Sequence, residues 1–250
     1  MRCILFLIGA SILCGGLCAE ARDWTTTDGK LFEGEFIIVM GDKAVIRKPN
    51  GDEVKIPLTR FSKEDLIFME LAKPPTFKID LSKYSKQHWW PEKYKAYNYG
   101  GDWGEIKIDA FDYVFTTKLK QMSAGSYNHE LHVEVFVIGL EIDGHNYILL
   151  DRMKSSFVPA EQEDLSYQFS GRKVRLYDFE FRQDGRRGQS YGGYLVIITD
   201  SRGEIIAYKT PKDWLYDIVE SLRELSLNAH FDKTGTRVFP PRPKVGRHIS

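Results

Sequence analysis

Most of the chain consists of short stretches in which apolar and polar residues alternate. In Glu53–Leu58, for example, an apolar residue follows each polar or proline residue. A period of two indicates β-strands with one buried face. The same reasoning predicts strands at Leu31–Val39, Ala44–Lys48, Glu105–Thr116, Glu130–Ile142, Asn146–Asp151, Lys173–Arg182, Tyr194–Thr199 and Glu204–Tyr208.

Tight-turn signals separate these stretches. Asp28-Gly29, Gly41-Asp42, Asn50-Gly51 and Asp143-Gly144 offer residues that tolerate positive φ, and Asn-Gly is a strong hairpin signal. Hairpin spacing with few helices favours antiparallel sheets over βαβ units. We therefore predict a mainly β protein with a small N-terminal barrel and a C-terminal antiparallel β-sandwich, against which one amphipathic helix packs.

Two features of the predicted sandwich are specific. Leu195–Ile198 is apolar on both faces and is predicted to be a central strand. In Lys173–Arg182 the apolar phase changes between Leu176 and Phe179, which predicts a β-bulge near Tyr177-Asp178.

Two helices are predicted. Ser62-Lys63-Glu64-Asp65 resembles a capping box and opens a short helix that ends before Lys73-Pro74-Pro75. A second helix, 211–227, begins after Thr210, which can act as its cap. Its apolar positions form one stripe, which indicates packing on the sheet.

The N-terminus has the pattern of a secretory leader. An apolar run follows Arg2, is too short to span a bilayer, and precedes the small residues around Ala19 and Ala21. We expect a signal peptide at 1–21, a mature chain that begins near Arg22, and a secreted or periplasmic location. Lipid attachment at Cys14 or Cys18 is an alternative, but the residues before each cysteine fit that motif poorly.

Cysteine usage and charge narrow the class of protein. Cys3, Cys14 and Cys18 are the only cysteines and lie in the leader, so the mature chain would contain no disulfide. The chain has 35 basic and 35 acidic residues and no net charge. This balance gives no global field for nucleic acid, and no stable membrane span is expected once the leader is removed.

Proline-rich segments and changes in composition predict the domain organisation. The small β domain covers 22–72, a linker follows at 73–88, and the sandwich domain covers 89–231. The polar and basic segment 232–250 contains Pro240-Pro241-Arg242-Pro243 and is predicted to be a disordered tail.

Residues 22–71 resemble a known family. The motifs are Arg22-x-Trp24-Thr25, Asp28-Gly29-Lys30, Glu33-Gly34-Glu35-Phe36, Asp42-Lys43-x-Val45-x-Arg47-Lys48, Gly51, Ile56-Pro57-Leu58 and Phe61-Ser62-x-x-Asp65. They resemble the Sla-one homology domain, an SH3-like module of endocytic adaptors that also occurs in exported bacterial proteins. The resemblance covers about a fifth of the chain. It implies an SH3-like barrel with a peptide-binding surface, but it doesn't identify the ligand.

Aromatic side chains are the main candidates for ligand binding. Six lie close together after the predicted linker, and Trp24 begins the first strand; a core role is the alternative for all of them. The paired arginines of Asp184-Gly185-Arg186-Arg187-Gly188 could bind an anion, although a solvated loop is the simpler interpretation. The candidate ligand-binding residues are Trp24, Trp89, Trp90, Tyr94, Tyr97, Tyr99, Trp103, Arg186 and Arg187.

Enzymatic signals are weak. Gly188-Gln189-Ser190-Tyr191-Gly192 matches G-x-S-x-G, and His230 follows in hydrolase order. A nucleophile elbow requires a strand-to-helix turn, whereas this segment leads into a predicted strand. His129 and His132 would lie on opposite faces of a strand, so we predict no shared metal ion and no cofactor.

These observations favour an exported, non-catalytic binding or scaffolding protein that recognises peptide or glycan ligands in the cell envelope. Two alternatives stay open. One is a structural assembly protein that contacts a partner protein without a small ligand. The other is a serine hydrolase that uses Ser190 and His230.

Overall fold

The structure is a computed structural model that describes residues 21–88, 107–181 and 185–239. The chain divides into two compact units between Lys73 and Pro74. None of the helices in these ranges is both long and apolar enough to cross a membrane. Residues 1–20 of the predicted leader lie outside the described residues.

The first unit is a four-stranded antiparallel meander with one helix. Its elements are β1 (Arg22–Thr25), β2 (Leu31–Met40), β3 (Lys43–Arg47), β4 (Glu53–Pro57) and α1 (Lys63–Ala72). Trp24, Phe36 and Phe61 are buried in its core. The predicted cap of α1 is confirmed, because Ser62 Oγ accepts a hydrogen bond from the Asp65 amide.

The predicted closure of this sheet into a barrel is wrong, because the described strands leave it open. The start of α1 takes the place that a closing strand would occupy beside β1. Thr25 donates its N–H to Asp65 Oδ2 and accepts a hydrogen bond at its carbonyl from the Ser62 amide. Asp65 also accepts from Arg22 Nη2 at 3.0 Å. The free edge of β1 is therefore satisfied by Asp65 of α1 together with the residues just before this helix.

The second unit contains a ten-stranded antiparallel sheet. Its strands are β5 (Phe77–Gln87), β6 (Lys107–Gln121), β7 (Leu131–Glu141), β8 (Tyr147–Phe157), β9 (Ser166–Ser170), β10 (Val174–Phe181), β11 (Gly185–Thr199), β12 (Ile205–Lys209), β13 (His230–Phe231) and β14 (Arg237–Val238). The main strand order is β14-β13-β8-β7-β11-β10-β6-β5, while β12 pairs with β11 and β9 with β6.

The sheet folds onto itself as a sandwich. Phe115 of β6 stacks on Tyr191 of β11 with ring centroids 5.5 Å apart, and Phe77 of β5 contacts Phe157 of β8 at 5.9 Å. In the sheet order β6 and β11 are two strands apart and β5 and β8 are five apart, so the sheet curls until strands that do not pair face each other. The structure thus confirms a mainly β fold whose larger unit is sandwich-like.

Two short helices cover the outer face of β7, β8 and β11. They are α2 (Trp214–Asp217) and α3 (Val219–Glu224), and their apolar side chains pack on Phe136, Leu149 and Leu195. The single helix predicted at 211–227 is wrong, because Ile218 leaves helical geometry at φ −107° and ψ 18°. The break lies where the turn after β13 meets the helices: a Cβ placed on Gly235 would lie 2.6 Å from Ser221 Cβ.

Other differences concern segments that are mainly polar. The predicted linker at 73–88 is wrong, because most of it forms β5 as an edge strand of the sheet. Within the predicted tail, 232–239 is ordered by β14 and by a turn in which Asp232 Oδ1 accepts from the Thr234 and Thr236 amides. Residues 240–250 lie outside the described part.

The strand details also differ from prediction in one respect. β10 pairs with β6 from Val174 to Glu180 without a register shift, so the bulge predicted at Tyr177-Asp178 is wrong. A shift instead occurs in β11 between Tyr191 and Gly193. The prediction for Leu195–Ile198 is confirmed, since all four side chains are at most 1% exposed within β11.

Candidate binding site

A row of aromatic rings runs between the two layers of the sandwich. Phe111, Tyr113 and Phe115 occupy alternate positions of β6, which places them on one face of the sheet. Tyr191 of β11 continues the row. The centroids are 6.4 Å apart for Phe111–Tyr113, 6.1 Å for Tyr113–Phe115 and 5.5 Å for Phe115–Tyr191. We call these four residues the aromatic row.

The bulge in β11 brings Tyr191 into this row. Leu195 and Ile197, at odd positions, pack in the core beneath the helices. Strict alternation would direct Tyr191 to the same side. The register shift beside Gly192 inserts one residue into the ladder with β7 and reverses the alternation. Tyr191 therefore lies between the layers, against Phe115.

Lys83 of β5 lies beside the row. Its Nζ is 4.6 Å from the centroid of the Tyr191 ring and 5.7 Å from that of Tyr113, within the range of cation–π attraction. Phe115, inside the row, is fully buried, whereas Phe111 at one end is 37% exposed and reaches solvent. The rings thus form an apolar surface that opens to water next to an ammonium group.

The phenol of Tyr191 is held in its neutral form. Burial, with a smaller contribution from the neighbouring Tyr194, raises the pKa of Tyr191 to about 12. At neutral pH the hydroxyl therefore remains a hydrogen-bond donor. The row combines ring faces, a phenolic donor and a cation, which suits stacking on a sugar ring or an apolar side chain with pairing to an anionic group.

The other predicted ligand residues lie elsewhere. Trp24 is 0% exposed and donates from Nε1 to the Gly34 carbonyl at 2.8 Å, so the surface role is wrong and its ring belongs to the core. The Trp24 ring packs edge-on against Phe61 and Phe68, with ring centroids 5.7 Å apart in both pairs. The predicted platform of Trp89, Trp90, Tyr94, Tyr97, Tyr99 and Trp103 lies outside the described residues.

The two arginines of the predicted anion site are exposed in β11. The Arg186 guanidinium pairs with the Asp178 carboxylate, and its amide donates to Asp143 Oδ2 at 2.9 Å. The charge of Arg186 is thus already compensated. Arg187 lies opposite Phe179 in the ladder between β10 and β11.

The structure does not bring Ser190 and His230 together as a catalytic pair. Ser190 is exposed within β11, opposite Leu140 of β7, so the strand-to-helix corner of a nucleophile elbow is missing at this serine. His230 belongs to β13, three strands away in the sheet order, or about 14 Å at the usual strand spacing. Its Nδ1 hydrogen-bonds Glu141 Oε1 at 2.5 Å.

Packing explains the glycines of the G-x-S-x-G match. A Cβ on Gly188 would lie 2.0 Å from the Tyr177 carbonyl oxygen, and a Cβ on Gly192 would lie 2.9 Å from Leu140 Cγ. Both glycines therefore allow close approach of neighbouring strands.

A polar groove of about 400 Å³ lies on the helix-facing side of the sheet. It is lined by His132, Val133, Glu134, Lys154, Ser155, Ser156 and Thr199. Glu134 is paired with Arg223 of α3 and with Lys154, and although burial raises the pKa of Glu134, hydrogen bonds from both cations outweigh it and lower the pKa. These charges attach α3 to the sheet. His129 is half-buried before β7, apart from this groove, whereas His132 is exposed.

Sequence reasoning missed the aromatic row. Phe111, Tyr113 and Phe115 lie in a predicted strand, and their alternation could have identified a shared face. Tyr191 lies before the predicted strand Tyr194–Thr199, and only the unpredicted bulge turns it toward the row. Lys83 falls in the predicted linker, and no local pattern places it beside rings that lie far along the chain.

Comparisons with known proteins give little further information. No family model and no curated protein matches the chain. A crystal structure from Akkermansia muciniphila is similar over 56% of this chain and 73% of that chain, with 13% sequence identity and a TM-score of 0.21. A likeness at this level carries no argument about fold or function. The resemblance of residues 22–71 to the Sla-one homology domain stays a prediction.

Proposed function

We propose that the protein is an exported, non-catalytic binding protein that recognises peptide or glycan ligands in the cell envelope through the aromatic row. The single observation that carries the proposal is the row's combination of stacked rings with the Lys83 ammonium. Aromatic faces supply contact area at low cost in side-chain entropy, and the cation adds selectivity for a ligand with an anionic group.

Two features of the row suit ligand binding as well as packing. Exposure rises along the row toward Phe111, so a ligand can reach it without opening the buried part at Phe115. Lys83 lies near two rings, and the described residues contain no acidic side chain paired with it. Its charge is therefore available to an incoming anion.

The serine-hydrolase alternative has less support. Ser190 lies within a strand and His230 is engaged by Glu141, so general-base activation of the serine would require a large rearrangement. The structural-assembly alternative predicts that no small ligand binds at the row, and the same experiment tests it.

The experiment is a screen of the mature chain on glycan and peptide arrays, followed by calorimetry with the ligands that bind. We expect Lys83→Gln and Phe111→Ala each to weaken binding by about tenfold, because each removes a direct contact worth about 1.4 kcal/mol. Lys55→Gln and Leu31→Ala are matched controls, since both side chains are exposed in the first unit. Equal affinity in all four variants, or no ligand on either array, would contradict the proposal.

A further inference from the structure

The outer face of the sheet formed by β5, β6, β9 and β10 is strongly basic. It lies opposite the aromatic row, on the side marked by the pairing of Thr116 Oγ1 with Ser170 Oγ at 2.8 Å. Six cations lie on this face, against the two carboxylates of Asp80 and Asp112. The cations are Lys78, Lys86, Lys118, Lys120, Lys173 and Arg175. We call this surface the basic face.

Among the described residues, the two carboxylates offset only two of these six positive charges. Lys78 pairs with Asp80, and Lys173 and Arg175 both pair with Asp112. Lys86, Lys118 and Lys120 are exposed and form no ion pair with a described residue. Since the whole chain has no net charge, the excess on this face is a local property.

The arrangement also contains a direct repulsion. Lys78 of β5 is the register partner of Lys120 of β6, so two ammonium groups lie opposite each other on the same face. Like charges at such positions destabilise a sheet. An anionic group bound between them would remove this cost.

Asp80 and Asp112 are each surrounded by more than one cationic side chain. A hydrogen bond from Arg175 is the main cause that lowers the pKa of Asp112, with further contributions from Lys173 and His88. For Asp80, burial raises the pKa, but hydrogen bonds from Lys78 and Lys209 outweigh it and lower the pKa. Both acids therefore stay ionised and pair with cations of the protein, while the remaining lysines face solvent.

The shape of the basic face fits a linear polymer. Lys78 and Lys86 are eight residues apart on β5, which is about 27 Å along a strand, whereas three neighbouring strands span only about 10 Å. Tyr84 lies between these lysines and is 70% exposed. Ser82, Thr116 and Gln168 add hydroxyl and amide groups to the same stripe. A ring for stacking, polar groups for hydroxyls and regularly placed cations together match an acidic polysaccharide.

We propose that the basic face binds a linear acidic glycan, of the uronate or sulfate class. The choice of a glycan depends on the export included in the proposed function, because the anionic polymers met outside the cytosol are largely glycans. The contact itself uses a different face from the aromatic row. Charge and ring stacking act together, so both should be needed for full affinity.

The experiment is calorimetry of the mature chain with polygalacturonate at low and high salt. We expect binding that weakens as salt screens the charges. The triple variant Lys86→Gln, Lys118→Gln, Lys120→Gln should bind at least tenfold more weakly, and Tyr84→Ala several-fold more weakly. The control triple Lys43→Gln, Lys48→Gln, Lys55→Gln removes the same charge from exposed positions of the first unit and should leave affinity unchanged.

Two further probes decide the class of partner. Neutral dextran should not bind, and poly-glutamate should bind at least tenfold more weakly because it has no ring to stack on Tyr84. Equal affinity for poly-glutamate and polygalacturonate would overturn the glycan assignment, as would equal loss in both lysine triples or the absence of binding. The comparison of the two lysine triples tests the basic face alone, whereas Lys83→Gln and Phe111→Ala test the aromatic row, so failure of one proposal can be told from failure of the other.

Discussion

Tyr191 gives the aromatic row a measurable protonation behaviour. Its folded-state pKa of about 12 lies above the ordinary value of 10 because the phenol is buried. The unfolded chain therefore loses this proton first as pH rises. The stability that Tyr191 contributes is complete below about pH 10, and it is lost as pH rises from there to about 12.

We expect a late step near pH 12 when tyrosinate absorbance is followed in the folded protein. Tyr191→Phe should remove that step and reduce the loss of unfolding free energy between pH 10 and 12. Tyr84→Phe is the control on the exposed face, and it should leave the late step in place. A late step that survives in Tyr191→Phe would assign the buried phenol to another tyrosine.

At the scale of the element, a glycine within β11 and a glycine in the turn after it differ in the space around them. Gly188 has a φ of 142° and no space for a Cβ, because the carbonyl of Tyr177 is in the way. Gly203, in the turn before β12, has a φ of 85° but open space around it. Alanine at Gly203 therefore meets only backbone strain, whereas alanine at Gly188 also forces β10 away from β11.

We expect Gly203→Ala to cost about 1 kcal/mol of unfolding free energy and Gly188→Ala at least twice as much. Chemical denaturation followed by circular dichroism measures both values. Equal losses of unfolding free energy in the two variants would show that β10 and β11 can separate at Gly188 without a measurable penalty. Soluble yield provides a second readout, since a displaced β10 exposes the edge of β11.

Elements with a strong apolar period could be predicted from the sequence, and those without one could not. The exposed half of β5 reads Ser-Lys-Tyr-Ser-Lys-Gln, and its strand conformation comes from pairing with β6 along its full length. The apolar stripe of 211–227 continues through Ile218, so it gave no sign of the break between α2 and α3. For the candidate site, the alternating rings of β6 were visible, but the β5 and β11 contributions depend on tertiary pairing.

On the scale of the whole molecule, the first strand limits where the predicted leader could be removed. Arg22 donates to Asp65, and Trp24 fills the core of the first unit, so cleavage after Arg22 would remove the first interaction and cleavage after Trp24 would remove both. We expect the exported protein to begin near Arg22, as determined by mass spectrometry of the intact chain. A start beyond Trp24, or retention of lipid at Cys14 or Cys18, would contradict this.

Such a chain would lack thiols, so the same sample should unfold at the same temperature with and without reductant. Its stability would then come from packing and hydrogen bonds alone. A shift on reduction would indicate that the leader cysteines remain.

Strand β11 belongs to both layers of the sandwich, since it pairs with β7 on one edge and with β10 and β12 on the other. A polypeptide threaded through a secretion channel emerges from its N-terminus, so β5 and β6 appear long before residues 185–199. Until then Phe115 lacks the Tyr191 ring that stacks on it. During the predicted export, this apolar ring would remain exposed while some eighty further residues cross the membrane. A periplasmic holdase chaperone would bind the exposed ring in that interval.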